Sequence, residues 1–319
     1  ESSIVFNNNA LALVVCLGSL GKNKEILVSR SESIEIGGGF RIPEIIKMSG
    51  LKLIDVGTTN KTYISDYENN ITEKTAGILK VHKSNYQIKG FTNNVDTKDL
   101  KKLGSKYNIP IIHDLGSGNL IETKKYKLPH EPTIIESLKE GSDISLFSGD
   151  KLLGGPQSGI IIGKRKYIEK ISKHPLARAA RIDKLNLFLL NQTLIQYLKE
   201  NSDRNVLSWS LINENKKNLL KRAKNIIEKI PKRYFEINAS AKSTIGGGTF
   251  PESYLESVSI TMNNQKLLNK FERYMLHQKI PTLGKIENNS LMLDLRTIFP
   301  EYDSYLIDNL NNFFNNDSI

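Results

Sequence analysis

Short apolar runs rich in β-branched residues alternate with helix-forming stretches through the first half of the chain. The predicted strands cover residues 25–29, 51–56, 77–82, 109–113 and 144–147, and the predicted helices cover residues 43–48, 66–72, 97–107 and 131–139. Such alternation favours a parallel sheet, because each helix carries the chain back to the start of the next strand. The sequence therefore predicts an α/β fold with a mainly parallel, doubly wound sheet.

The length of the chain indicates a second domain. A single hydrophobic core stops growing at about 250–300 residues, and this chain has 319. We expect a large domain over residues 1–203 and a smaller α+β domain over residues 204–319. The predicted elements of the smaller part are a helix at 207–230, strands at 235–239 and 257–262, a helix at 265–278, a hairpin at 282–296 that turns at Asn288-Asn289, and a helix at 302–314.

Polar side chains follow three of the predicted strands at the points where those strands end. Asn85 follows the third strand, Asp114 the fourth, and Ser148 with Lys151 the fifth. The carboxyl ends of parallel strands share one crevice, which is where open α/β folds hold their ligands. A lysine fixed in such a crevice forms an imine with a carbonyl compound when its surroundings disfavour the ammonium form.

These residue types predict a site for pyridoxal phosphate. Lys151 would bond to the aldehyde and Ser148 to the phosphate, while Asp114 would keep the pyridine nitrogen protonated and Asn85 would contact the ring hydroxyl. Taken singly, a lysine after a strand is more often a solvated loop charge, and an aspartate two residues before a glycine is often a turn residue. Asp150 beside the lysine is equally compatible with proton transfer and with a turn carboxylate.

Two further groups of residues are suited to binding anions. Asn8 and Asn9 precede the predicted helix at 11–20, and the amides at a helix N-terminus attract phosphate. Arg178 and Arg181 are three positions apart, so on a helical turn they would share a face and clamp an anion. Each pattern also has a plainer structural interpretation, as a helix cap and as a solvated face.

Composition excludes some protein classes and suggests a partner. Cys16 is the only cysteine, so an intrachain disulfide is excluded and a reducing compartment is expected. The apolar run at 10–20 is shorter than the roughly 20 residues that span a bilayer, so we expect a cytoplasmic protein without a membrane anchor. The formal charge of +11 favours partners that carry phosphate, such as nucleic acid, but also fits ordinary solvated helices.

Several stretches together resemble one enzyme family. They are Asn7-Asn8-Asn9-Ala10, Val28-Ser29-Arg30, Ile36-Gly37-Gly38 with Phe40-Arg41-Ile42-Pro43, Val56-Gly57-Thr58-Thr59-Asn60, Lys80-Val81-His82 with Ser84-Asn85-Tyr86, Asp114-Leu115-Gly116-Ser117-Gly118, residues 147–157, His174-Pro175-Leu176 and Leu293-Asp294-Leu295-Arg296-Thr297. The chain resembles bacterial selenocysteine synthase, the L-seryl-tRNA(Sec) selenium transferase, which is a fold-type I pyridoxal phosphate enzyme. The resemblance extends over nearly the whole chain.

The resemblance implies conversion of seryl-tRNA(Sec) to selenocysteinyl-tRNA(Sec) through a dehydroalanyl intermediate. It implies that Lys151 binds pyridoxal phosphate, that Asp114 meets the pyridine nitrogen, and that Ser148 with Asn8 and Asn9 holds the phosphate. It further implies that Arg178 and Arg181 bind selenophosphate, that the protein is a homo-oligomer, and that a tRNA-binding domain precedes Glu1. It leaves the residue that covers the cofactor ring open among four candidates, which are Arg30, Ser31, Glu32 and His82.

Two alternatives from other functional classes remain at this point. A pyridoxal phosphate lyase acting on a small amino sugar phosphate or amino acid would keep Lys151 and use the arginines for the substrate phosphate. A catalytically inactive RNA-binding relative would keep only the basic surface, and the complete set of Ser148, Lys151 and Asp114 argues against it.

Overall fold

The computed structural model describes residues 1–36, 39–246 and 248–315, with the backbone alone at Ile36 and Phe40. Gly37 and Gly38, which belong to a stretch noted above, and Gly247 lie outside the described residues. The chain divides into two compact units, Glu1–Trp209 with Gly246–Glu252, and Ser210–Ile245 with Ser253–Ile319. Among the helices of these described residues, none has the length and apolar character that crossing a membrane requires.

The first unit contains nine strands and most of the helices. The strands are β1 Ser2–Phe6, β2 Glu25–Ser29, β3 Glu35–Ile36, β4 Phe40–Arg41, β5 Lys52–Val56, β6 Thr75–Val81, β7 Ile111–Gly116, β8 Ile144–Ser148 and β9 Gly159–Gly163. The helices are α1 Asn9–Gly18, α2 Ile42–Met48, α3 Ile64–Glu68, α4 Thr97–Tyr107, α5 Ile134–Lys139, α6 Arg165–Ser172, α7 Pro175–Ala179, α8 Lys184–Leu198, α9 Ser202–Asn205 and α10 Leu207–Asn213, the last of which continues into the second unit. Short 3-10 turns occur at Arg30–Glu32 and Thr123–Tyr126.

Seven of these strands form one sheet in the order β1-β9-β8-β7-β6-β2-β5. The pairs from β8 to β5 are all parallel, whereas β9 is antiparallel to both of its neighbours. All five residues of β8 are buried, as expected for a strand with helices on both faces of its sheet. The predicted α/β fold with a mainly parallel sheet is confirmed.

Two elements of the first unit differ from the sequence prediction. The pattern did not reveal β1, because its five residues begin with two serines and gain strand structure only by pairing with β9. The fourth strand was predicted to end at residue 113, but β7 continues through Asp114 to Gly116. His113 tolerates burial in this strand because Ser137 Oγ lies 2.8 Å from its Nδ1 atom.

The second unit packs helices on a small antiparallel sheet. Its elements are α11 Lys216–Ile227, β10 Phe235–Asn238, β11 Lys242–Thr244, β12 Tyr254–Glu256, β13 Ser259–Met262, α12 Leu268–Leu276, β14 Lys285–Glu287, β15 Ser290–Asp294, a 3-10 turn at Pro300–Tyr302 and α13 Asp303–Asn315. The predicted hairpin turns at Asn288 and Asn289, whose φ angles of 50° and 59° are typical of a two-residue turn. The prediction of a single helix at 207–230 is wrong, because α10 ends at Asn213 and α11 begins at Lys216. Near this break Arg296 donates hydrogen bonds to the carbonyls of Leu211 and Glu214.

A buried carboxylate joins three segments at the edge of the main sheet opposite the strand ends considered above. Asp143 accepts hydrogen bonds from Lys101 Nζ at 2.9 Å, from the Ile111 backbone nitrogen at 3.0 Å, and pairs with Lys164 Nζ at 2.6 Å. Burial alone would raise the pKa of Asp143, but Lys164, the Ile111 N–H group and Lys101 hold it below its usual value. The ionised carboxylate therefore stabilises the folded unit.

We expect Asp143→Ala to lower the free energy of unfolding of the first unit by about 2–4 kcal/mol, because it leaves a buried N–H group and two ammonium groups without their partner. The stability difference from the native protein should shrink as the pH falls below the unfolded pKa of about 3.9, since a lowered native pKa stabilises only the ionised form. Urea titrations at pH 7 and pH 3.5 measure both effects. Asp99→Ala, which removes an exposed pair with Lys102, should cost less than about 0.5 kcal/mol.

Candidate active site

Asp114 is the buried acid at the carboxyl end of the central strands. Its side chain is only 3% exposed, and its Oδ1 atom accepts a hydrogen bond from Asn9 Nδ2 at 3.0 Å. Burial raises the pKa of Asp114, against the opposing effects of the Asn9 hydrogen bond, the Lys151 charge and the Gly116 N–H group. A cationic N–H donor placed against this carboxylate would offset its desolvation.

Lys151 lies close to Asp114 across a glycine. Its Nζ atom is 4.0 Å from the position that a Cβ would occupy at Gly116, and Gly116 has a φ of +68°, which favours glycine. The Leu152 backbone nitrogen donates to the Ser117 carbonyl at 2.9 Å, which ties the lysine loop to the end of β7. The structure thus brings together the two residues on which the sequence prediction depended.

The start of α1 forms the next wall of the site. Asn8 is the N-cap of α1, as predicted, and its Oδ1 atom accepts a hydrogen bond from the Leu11 backbone nitrogen at 2.9 Å. The backbone of Asn8 and Asn9 lies against Gly159, where a Cβ would be only 2.2 Å from the Asn8 oxygen. Gly159 pairs in register with Ser148, so this contact sets the helix start beside the end of β8.

These residues fit pyridoxal phosphate. Asn9 Oδ1 and Ser117 Oγ are buried and have no hydrogen-bond partner within the described residues, although buried polar atoms are normally paired. They lie on the two segments that approach Asp114 and Lys151. The site thus offers a carboxylate, a lysine amine, a helix N-terminus and unpaired polar atoms. These groups suit a cofactor that has a ring nitrogen, an aldehyde and a phosphate.

His82 and Glu131 form a pair beside the same carboxylate. The His82 backbone nitrogen donates to the Asp114 carbonyl at 2.8 Å, and its Nε2 atom lies 3.1 Å from Glu131 Oε2. Glu131 is only 4% exposed. Sequence reasoning missed Glu131 because it appeared to be the first residue of a solvated helix. Its neighbour Pro132 and the helix cap at Thr133 were the available signals that the helix begins later.

The other three candidates for covering the cofactor ring have different contacts. Ser31 Oγ lies 2.9 Å from Ser29 Oγ, while Glu32 pairs with Lys80 and accepts a hydrogen bond from the Val81 nitrogen. Arg30 is exposed and, like Ser31, lines a cavity of about 400 Å³. Of the four, His82 is the one bonded to Asp114.

Asn85 also lines that cavity. Its Nδ2 atom is 3.4 Å from the Glu35 carbonyl, and its Oδ1 atom is buried without a partner among the described residues. No described contact joins the Asn85 side chain to Asp114 or Lys151, so its predicted role at the ring hydroxyl stays a prediction. Asp150 is exposed next to the half-buried Lys151.

The two arginines do not share a helical face as predicted. α7 ends at Ala179, so Arg178 lies in its last turn while Arg181 lies beyond it and forms a β-bridge with Phe6. The Asn7 backbone nitrogen donates to the Ala180 carbonyl at 2.9 Å. The exposed Arg181 is therefore held by its backbone next to the loop that contains Asn8.

We expect Asp114→Asn to raise the melting temperature of the cofactor-free protein by a few degrees at pH 8. A raised native pKa means that the ionised carboxylate destabilises the fold above the unfolded pKa of about 3.9, and asparagine removes that charge while keeping an acceptor for Asn9. The gain should disappear near pH 4. Thermal melts at both pH values measure the gain. A melting temperature lower for Asp114→Asn than for the native protein at pH 8 would show that burial does not destabilise the ionised carboxylate.

Several known proteins with similar sequences carry the same name. The family model described as L-seryl-tRNA selenium transferase matches residues 1–299. An L-seryl-tRNA(Sec) selenium transferase of Alkaliphilus oremlandii (strain OhILAs) is 43% identical over 316 residues, which are 98% of this chain and 68% of that protein. The same-named protein of Carboxydothermus hydrogenoformans is 44% identical over 309 residues, or 96% of this chain and 66% of that protein. The chain thus spans about two thirds of the length of these relatives.

Solved structures agree on the fold. A D-glucosaminate-6-phosphate ammonia-lyase superposes with a TM-score of 0.66 and covers 98% of this chain and 81% of its own. Its sequence is only 17% identical, so the likeness concerns the fold alone. The sequence matches are far stronger, and the chain belongs to the L-seryl-tRNA selenium transferase family.

Proposed function

We propose that this chain is the pyridoxal phosphate-binding part of an enzyme that converts seryl-tRNA(Sec) to selenocysteinyl-tRNA(Sec) with selenophosphate. The observation that carries the proposal is the juxtaposition of Lys151 with the buried Asp114 in a chain that belongs to this family. Conversion of a serine side chain requires loss of the α-proton and of the hydroxyl group as water, followed by addition of selenium to the β-carbon and return of a proton to the α-carbon. The sum of these steps replaces oxygen with selenium, and phosphate leaves the selenium donor.

Bound pyridoxal phosphate supplies the electron sink that makes the α-proton of the seryl group acidic. Lys151 Nζ would hold the cofactor and, once the seryl amine has replaced it there, would be free to take up the α-proton. Within the described residues this amine has no hydrogen bond or ion pair that would compete. Asp114 would keep a proton on the ring nitrogen, with Asn9 orienting that carboxylate. Ser148 and the amides at the start of α1 would hold the phosphate.

His82 is our candidate for the residue that covers the ring. Two contacts support this proposal: the His82 backbone nitrogen bonds to the Asp114 backbone carbonyl, and the His82 Nε2 atom lies 3.1 Å from Glu131 Oε2. Asn85 and Asp150 retain their proposed roles at the ring hydroxyl and in proton transfer. Both roles rest on the positions of these residues after β6 and β8, and for Asp150 also on its place beside Lys151.

Arg178 and Arg181 are proposed to bind selenophosphate. Both side chains are exposed, and neither forms an ion pair in the part of the chain that the structure describes, so both are free to meet an anion. The bridge from Arg181 to Phe6 holds one arginine near the α1 N-terminus. A lyase would use the same cations for a sugar phosphate, but relatives at 40–45% identity carry the transferase name.

Assembly into a homo-oligomer, in the cytoplasm, is part of this proposal. Only Leu190 of α8 is buried, while the helix exposes Leu185, Leu187, Phe188, Leu189, Leu194 and Leu198. These side chains offer on the order of several hundred Å² of apolar surface, a large share of the ~800 Å² that each partner contributes to a standard interface. A groove of about 580 Å³ between α8 and the Gly154-Gly155-Pro156 turn continues the surface. A second copy of the chain is the occupant that we propose.

Lys151→Ala should abolish formation of selenocysteinyl-tRNA(Sec) from seryl-tRNA(Sec) and selenophosphate by the full-length protein, together with the visible absorbance of the bound cofactor.

Arg178→Ala should raise the KM for selenophosphate by about 10- to 100-fold, because a charge-assisted contact is lost, and should leave the KM for seryl-tRNA(Sec) nearly unchanged. Turnover of an amino sugar phosphate, with no selenocysteinyl product from the intact protein, would instead support the lyase.

Phe188→Asp should shift the protein to a smaller species in size-exclusion chromatography with light scattering, because it places a charge in the apolar surface of α8. Asn191→Asp adds the same charge at an exposed polar position of that helix and should leave the mass unchanged. Equal masses for the native protein and both variants would contradict the proposed interface.

A further inference from the structure

The segment Gly246–Glu252, which we name the strap, belongs to the first unit although the residues on both sides belong to the second. Thr249 and Phe250 are 6% and 5% exposed. The Glu252 carboxylate pairs with the Lys89 ammonium, and the Pro251 carbonyl lies 3.4 Å from Gln87 Nε2. Apart from Gly247, which is not described, the strap is thus held by burial and by two polar contacts.

The strap meets the lysine site at Gly248. A Cβ at this position would lie 3.1 Å from Lys151 Nζ and 3.5 Å from Lys151 Cε, with no other neighbour within 4 Å in the described chain. The backbone of Gly248 therefore lies directly beside the amine. A Cβ at Gly116 would lie 4.0 Å from the same amine, so two glycines lie close to Lys151 Nζ.

The backbone of the strap is strained. Phe250 and Glu252 have φ angles of +52° and +61°, in the left-handed region that non-glycine residues rarely adopt. Such conformations persist only where the surroundings impose them, and they occur frequently at functional sites. Here the buried Phe250 ring and the Glu252 ion pair hold the strap in place.

We propose that Gly248 is a positioning residue for Lys151. Its backbone keeps the amine over Gly116 and near Asp114, while its lack of a side chain leaves the room that Nζ needs to exchange partners during the reaction. The strap also screens one side of the amine from water. This inference deepens the proposed function, since it takes Lys151 as the reacting group.

The first test compares Gly248→Ala with Gly246→Ala by titrating the cofactor-free protein with pyridoxal phosphate. Both glycines have positive φ angles, of +86° and +136°, so both substitutions strain the backbone, but the Cβ at 246 meets nothing within 4 Å. Gly248→Ala should weaken cofactor binding by about 10-fold, whereas Gly246→Ala should change it less than 3-fold. Equal effects of the two substitutions would overturn the proposal.

The second test measures the strap without any cofactor. Phe250→Ala removes the buried anchor, so it should increase the rate at which acetic anhydride acylates Lys151 by about 5-fold or more, as read by peptide mass spectrometry. Exposed Lys98 provides the internal reference. An unchanged ratio of Lys151 to Lys98 acylation would contradict a strap that covers the amine.

The two proposals fail in different ways. If Lys151→Ala still binds pyridoxal phosphate covalently, the proposed function is wrong at its central residue, whatever the strap does. If Lys151 carries the cofactor but neither Gly248→Ala nor Phe250→Ala differs from its reference, the function stands and the strap has no role in positioning.

Discussion

The hydrogen bond from Asn9 to Asp114 joins the first helix of the chain to a central strand of its sheet, and the arrangement of the site depends on it. For this bond to form, β1 must pair with β9, and Gly159 must let the start of α1 approach β8. The same approach buries the carboxylate and places a helix N-terminus next to Ser148. A buried acid and a partly buried amine then lie within one crevice. Removing these groups from water costs free energy unless a ligand supplies the hydrogen-bond partners that water no longer provides.

Much of this arrangement was predictable because its causes are local in sequence. Strands buried on both faces contain continuous apolar runs, so the alternation of β2, β5, β6, β7 and β8 with helices was recognisable. Parallel strands then bring their carboxyl ends together, which is why Asp114 and Lys151 were expected to meet and do so. The cap of α1 was recognisable because its asparagines stand next to the helix in the sequence.

The remaining features arise from long-range packing. The burial of Glu131 depends on His82, which lies 49 positions earlier, and nothing around Glu131 distinguishes it from a solvated acid. Arg181 lies beyond α7, which ends at Ala179, and the Arg181 backbone forms a bridge with Phe6. The strap has no periodic pattern, and its position depends on the burial of Phe250 and on contacts with Gln87 and Lys89, which lie far away in the sequence.

The antiparallel pairing of β1 with β9 has a consequence for biosynthesis. Ser2 pairs with Gly163, so the first strand emerges from the ribosome long before its partner exists. At about 5–20 residues per second, that interval lasts on the order of ten seconds or more. The cofactor cradle consequently cannot be complete until β9 has been made, although Lys151 and Asp114 are translated earlier.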